Sequence, residues 1–317
     1  MDKSLVKLIS AFSISGDEDE IRDIVKAELS NIDCDIEEDK IGNLIVRIGN
    51  GGQKFMVCSH MDSIGFMVSH LEENGIIKVE KIGDFNCNNM CHSFIRFKNG
   101  TVGKLLLNKD EIFIDIGSKN IKDTISKVKE GDTACLVGPY LEFPHDSLVS
   151  PSLDNKIGCY ILLRLIKEVK NKNSELYFVF SSQKKLGGRG IRAAAYNIDP
   201  DFCIIIDLEN ARDAVDSLNN VEIDKGPVLK LMDNSIIMNK DIKSMLEKSA
   251  NKTNVNVQYS ISTGSSQPNL IYNEKPDIRI GEIAVPCKYK NSISEMISTN
   301  DVEDSIKILK ELILNEI

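Results

Sequence analysis

The pattern of apolar and polar positions changes character along the chain, and the changes outline its organisation. Apolar residues recur at helical spacing over 3–12 and 17–30, with Ser15-Gly16-Asp17-Glu18 between them as an N-cap region. Two short apolar runs follow, 43–48 and 54–60, around the turn Asn50-Gly51-Gly52, which predicts a hairpin whose second strand ends at His60. From about Gly65 to Gly138 short strands alternate with turns, for example 76–80, 93–97 and 101–106, as expected of a small β-barrel or sandwich. After Pro151 helices predicted at 158–169, 190–196, 240–251 and 301–314 alternate with strands at 175–181, 202–207, 228–231, 255–259 and 278–284. Unbroken apolar strands in such an alternation predict an α/β domain around a buried central sheet.

Composition narrows the classes of function. The 317 residues suffice for one large or two ordinary domains, and 42% hydrophobic with 27% charged residues is a globular balance. A net charge of −9 without a dominant Lys/Arg cluster argues against nucleic acid or an anionic membrane as partner. The eight cysteines are scattered, and Cys58 and Cys203 lie inside apolar runs, the pattern of reduced, buried thiols. The N-terminal MDKSLVKLISAFSISGDEDE lacks a long apolar run, and no stretch of about 18 apolar residues occurs, so a cytoplasmic, membrane-free location is expected.

Four segments place metal-capable or acid/base residues beyond an apolar strand or at a helix start: His60-Met-Asp62, Ser152-Leu-Asp-Asn155, Gln183-Lys-Lys185 and Asp207-Leu-Glu209. In an open α/β sheet such positions face a crevice at the carboxyl ends of the strands. Each has a plainer reading as well. His60 suits a strand-end histidine bonded to nearby backbone, Asp154 a helix N-cap, and Asp62 a carboxylate that orients the His60 ring. Asp207, ending an all-apolar strand, needs a cation or several donors. Cys87, Cys91 and His92 have a metal-like spacing but no second ligand pair nearby. Gly51-Gly52 and Gly187-Gly188 lack the spacing of a phosphate loop.

In order along nearly the whole chain, HMDSIGFMV (60–68), DIGS (115–118), SLDNKIG (152–158), AAAYNIDP (193–200) leading to Asp207, KGPVLKLMD (225–233) and AVPCKYKNS (284–292) resemble the glutamyl and tetrahedral aminopeptidases. These are co-catalytic metallopeptidases, some of which carry the names endoglucanase or cellulase. The resemblance implies an α/β, phosphorylase/hydrolase-like three-layer sandwich with a central mixed sheet, plus an inserted small β-barrel. It implies a discontinuous catalytic-type domain over 1–66 and 150–317 and a dimerisation or lid domain over 67–149. Peptides or peptide N-termini are the implied ligands. The implied assembly is a homo-oligomer, from dimer up to dodecamer, or a hetero-assembly with an active paralogue.

Family members bind two divalent metals, usually zinc or cobalt, which polarise the scissile carbonyl and activate a water while a glutamate moves its proton. His60, Asp154 as bridging ligand and Asp207 match one metal's set, with Asp62 beside it expected as a catalytic residue. The family's Glu-Glu pair, general base and then ligand of the other metal, is here Lys184 and Lys185, and its C-terminal His ligand is Asn291. The Gly-Gly-Thr-Asp-like stretch before it is Thr263-Gly-Ser-Ser-Gln-Pro268. An ammonium has donors only, and losing its proton works against a pKa of about 10.4. The expectation is therefore one divalent metal at most, with Lys185 taking the second ion's place against Asp154 and Asn291, and an aminopeptidase homologue with little or no turnover. Two alternatives remain open: an aminopeptidase working with a single metal, Lys184 serving as base if burial lowers its pKa, and a non-catalytic peptide-binding or regulatory subunit. Polysaccharide hydrolysis would need a carboxyl pair across a sugar cleft, which nothing marks, and the chain has no tryptophan.

Overall fold

The computed structural model describes residues 2–109, 111–169, 174–212, 220–234, 237–261 and 267–315. An eight-stranded mixed sheet runs in the order Asp35–Glu38, Leu44–Ile48, Glu175–Ser181, Lys54–His60, Phe202–Asn210, Arg279–Cys287, Val228–Met232, Gln258–Ile261. The four middle strands are mutually parallel, so their carboxyl ends share one edge. Being covered on both faces, they are apolar at nearly every position; Phe178, Phe180, Ile204 and Ile205 are fully buried.

Helices form the outer two layers. Lys3–Ser10, Asp19–Leu29, Leu153–Glu168, Lys240–Thr253 and Thr299–Asn315 pack on one face, and Arg189–Ile198 and Gln267–Tyr272 on the other. Gly65–Leu71, Ile77–Ile82, Glu111–Asp115, Val102–Asn108, Phe94–Phe97 and Thr133–Val137 close into an antiparallel barrel around Phe66, Ile95, Phe97 and Leu105. Each such side chain contributes roughly 1.5–3 kcal/mol by leaving water, enough for the barrel to hold a core of its own. A three-stranded sheet, Leu141–Phe143, Ser147–Ser150 and Glu295–Ser298, leads from the barrel back to the start of the helix at Leu153.

Several expectations change. The runs 43–48 and 54–60 do not form a hairpin, because the strand Glu175–Ser181 inserts between them, antiparallel to one and parallel to the other. Leu44–Val46 and Phe55–His60 are buried, so the mostly apolar strand Glu175–Ser181 completes the sheet better than direct pairing would. Asp207 does not end its strand, which continues through Leu208 and Glu209 to Asn210. Ser15-Gly16-Asp17-Glu18 does not cap the second helix through a side chain. Instead the Ser15 hydroxyl donates to Asp62, and Glu18 accepts the backbone N–H groups of Gly16 and Gln183, each at 3.0 Å.

In the first turn of the last helix, Asp301 accepts the backbone N–H groups of Asp224 and Gly226, both at 2.7 Å. Burial nonetheless pushes its carboxyl up from 3.8 to about 6. A carboxyl raised in the folded state contributes stability that is complete below about pH 4 and is lost as pH rises through about 6; each tenfold difference in proton affinity between folded and unfolded chains is worth roughly 1.4 kcal/mol. Asp301→Asn is expected to flatten the slope of stability against pH between 4 and 6, measured by urea unfolding at each pH. An unchanged slope would contradict this.

Candidate active site

The segments leaving three of the parallel strands converge. His60 ends the first with Asp62 two residues beyond it, the turn Lys184–Leu186 follows the second, and Asp207 lies on the third. Asp154 enters from the first turn of the helix Leu153–Glu168, and Lys290 and Asn291 from the loop after Arg279–Cys287.

The lysine turn is fixed by side chains around it. Asn43 donates to the Gly190 carbonyl at 2.8 Å and accepts the Ser182 N–H at 2.9 Å. A Cβ at Gly190 would come within 2.3 Å of the Asn43 Oδ1, so this close approach requires glycine. The Asp62 carboxylate accepts the Lys184 N–H at 2.9 Å and the Lys185 N–H at 2.8 Å. Burial works against its charge, but His60, Ser15 and these donors hold the carboxyl well below its ordinary range. Asp62 thus anchors the turn, and the His60 ring is oriented mainly by its backbone: Nδ1 lies 2.9 Å from the Asp62 carbonyl and 3.5 Å from its carboxylate. A carbonyl only accepts, so Nδ1 carries the proton and Nε2 faces the crevice.

There Nε2 lies 3.5 Å from Asp154 Oδ1 and 3.8 Å from Asp207 Oδ1. One ligand atom from each of these buried residues falls within 4.8 Å of the others. His60 Nε2 and Asp154 Oδ1 have no hydrogen-bond partner, a costly state for buried polar atoms. One imidazole nitrogen and two carboxylates make a donor set suited to a divalent ion such as zinc. Among the described residues no other cluster of this kind forms, and Cys87, Cys91 and His92 do not assemble one. Asp154 is no N-cap, since Ser152 precedes the helix in that place and the Asp154 carboxylate turns into the crevice.

Lysines surround these carboxylates. Lys185 Nζ lies 2.5 Å from Asp154 Oδ2 and 3.2 Å from Asn291 Oδ1. Lys184 Nζ is 3.5 Å from Asp207 Oδ2. Lys290 Nζ is 3.7 Å from Asp154 Oδ1 and 3.5 Å from Asp207 Oδ1, and donates to the Leu208 carbonyl. Burial opposes the charge on all three; it prevails at Lys184, whose pKa falls, while Asp154 outweighs it at Lys185 and Lys290, which rise. Asp154 and Asp207 are held well below their ordinary range, against burial, by the lysines. Burial and Lys184 push His60 down, but its contacts with Asp154, Asp207 and Asp62 prevail and raise it to about 9.

Sequence reasoning missed three members of this cluster. Lys290, one residue before Asn291, has the local signature of a solvated loop lysine. Glu295 accepts the N–H groups of Asp154 at 2.9 Å and Asn291 at 2.6 Å, joining two positions far apart in sequence; burial and the Asp154 charge raise it to about 7. Gln267 donates to Asp207 Oδ2 at 3.0 Å. It belongs to the stretch Thr263–Pro268, of which 263–266 lie outside the described residues.

The sequence model of the family described as M42 glutamyl aminopeptidase matches residues 42–308. The chain belongs to the M42 family. A relative from Acetivibrio thermocellus named "Putative aminopeptidase" is 33% identical over 321 residues, covering 98% of this chain and 97% of its own length. A TET aminopeptidase from a marine sediment Thaumarchaeota archaeon superimposes with a TM-score of 0.92 at 24% identity, covering 99% of this chain and 97% of the other. The Pyrococcus horikoshii TET1 peptidase does so with a TM-score of 0.89 at 23% identity, covering 99% of each chain. At these identities the two structures establish the fold. As an M42 member the chain is a metallo-aminopeptidase homologue, and its donor atoms can be judged as such. His60, Asp154 and Asp207 fit one divalent ion. Lys185 does not fit as ligand of a second, because an ammonium has no lone pair to give. No helix among the described residues is long and apolar enough to cross a membrane.

Proposed function

We propose that the chain is a catalytically impaired M42 homologue that binds peptides or peptide N-termini without efficient hydrolysis. The observation that carries this reading is Lys185, whose ammonium lies 2.5 Å from the Asp154 carboxylate and 3.2 Å from the Asn291 carbonyl oxygen, the two side chains that would flank the second metal. Lys184 stands where the resemblance requires the general base; burial lowers its pKa, but as long as it stays an ammonium it has no lone pair with which to take a proton. Losing such a group costs about 10²–10⁴-fold in rate, before any effect of the missing ion. Asp62 then serves to hold the lysine turn and the His60 ring in place.

The Pyrococcus horikoshii relative assembles into a tetrahedron or a large octahedral shell, which supports a homo-oligomer here or a mixed assembly with an active paralogue. We assign 67–149 as the dimerisation or lid domain and 1–66 with 150–317 as the peptidase-type domain. The eight free cysteines accord with the cytoplasm.

A second reading is favoured by the unpartnered His60 Nε2 and Asp154 Oδ1: an aminopeptidase working with one zinc or cobalt ion on His60, Asp154 and Asp207. Such an ion would supply Lewis acidity toward the peptide carbonyl, while His60 stays oriented by the Asp62 carbonyl. Metal content per chain, measured beside aminopeptidase activity after loading with zinc or cobalt, decides between the two. The expected result is fewer than two equivalents and no turnover above background. Robust metal-dependent release of N-terminal residues would overturn the first reading.

A further inference from the structure

We propose that Lys290 is an internal cation standing in the place of the one divalent metal for which the chain still has ligands. The inference rests on the reading of an impaired site and extends it from the second metal position to the first. The Lys290 ammonium approaches Asp154 Oδ1 at 3.7 Å and Asp207 Oδ1 at 3.5 Å. These are the same oxygens that face His60 Nε2 at 3.5 and 3.8 Å. Lys185 and Lys184 take the opposite oxygens, Oδ2 of Asp154 and Oδ2 of Asp207. The two carboxylates therefore have one ammonium each on the outer oxygens and share a third between the inner ones.

The backbone holds Lys290 in this position. The Lys288 N–H donates to the Met296 carbonyl at 2.8 Å, and the Met296 N–H returns to the Lys288 carbonyl at 3.0 Å. Tyr289 and Asn291 on either side are left-handed, with φ of 57° and 59°, and the Asn291 N–H is fixed on Glu295. The bend directs the Lys290 side chain inward, where it is 13% exposed and its ammonium also donates to the Leu208 carbonyl. A divalent ion on His60, Asp154 and Asp207 would join three ammoniums facing two carboxylates, and to bind it must displace Lys290.

Cobalt binding measured by equilibrium dialysis and by the visible spectrum of the bound ion tests this. Lys290→Met is expected to bind one equivalent about tenfold or more tighter than the wild type, within the usual range of coupling between two sites. The gain should vanish in Lys290→Met/Asp207→Asn. Equal affinity of wild type and Lys290→Met, or a gain that survives Asp207→Asn, would overturn the proposal. If Lys290→Met does not fold, Lys290→Gln is read by the same criteria. Wild-type turnover, not these affinities, decides the impaired-enzyme reading, so either can fail alone.

Discussion

Lys185→Ala is expected to lower the unfolding free energy by roughly 3–5 kcal/mol, the loss that follows when one partner of a buried ion pair is removed. An exposed pair would be worth only about 0–1 kcal/mol. Here the Asp154 side chain is 1% exposed and that of Lys185 7%. Burial works against both charges, yet Lys185 is raised and Asp154 lowered, so the pair is ionised as it stands. Taking away Nζ strands a carboxylate whose other oxygen already lacks a hydrogen bond. Lys290 at 3.7 Å is too distant to replace a 2.5 Å contact. Removing both partners also removes the stranded carboxylate, so Asp154→Ala/Lys185→Ala should recover part of the loss, the non-additivity expected of residues in contact. Urea unfolding of the two single variants and the double variant measures the coupling. An unchanged midpoint for Lys185→Ala would show that its ammonium is not the counter-charge of Asp154.

The parts of the site that are legible in the sequence are those written as local contrasts. His60 and Asp207 stand out because each is a polar residue in or at the end of a run made mostly of buried apolar side chains. Lys184 and Lys185 stand out because a strand and a glycine turn fix the register around them. Lys290 cannot be found in this way, since its environment is made by residues more than 80 positions away, Leu208 and Asp207 among them. Glu295 is similar: its partner Asp154 lies 141 positions off, brought near by pairing of Ser150 with Glu295. The expected hairpin fails for the same reason. Leu44–Ile48 and Lys54–His60 are close in sequence, but both are buried over most of their length, and which neighbour each takes is decided by the whole sheet. Local periodicity assigns most of the long helices and strands correctly because it reports burial. It says nothing of strand order.

The largest gain of function is expected from Lys184→Glu/Lys185→Glu/Asn291→His, which returns a base and both missing ligands. In the site that the resemblance implies, four carboxylates face two divalent ions. Here Asp154 and Asp207 face three ammoniums instead, so the carboxylate charge is more than offset without metal. Exchanging both lysines of the turn for glutamates reverses that balance and leaves Lys290 as the lone ammonium among these groups. Without metal the variant should then be destabilised by crowded carboxylates, and zinc or cobalt should raise its melting temperature in a concentration-dependent way, since an ion that binds only the folded state stabilises it by mass action. Two equivalents of metal per chain are expected, with turnover about 10²–10⁴-fold above wild type from the restored base alone. Adding Lys290→Met should raise metal affinity further, because it frees the inner oxygens of Asp154 and Asp207. A variant that folds, binds two equivalents and still releases no N-terminal residues would place the impairment outside these positions. In that case the lysines would be compensation for a site already lost, and the peptide-binding cleft rather than the metal centre would be where catalysis fails.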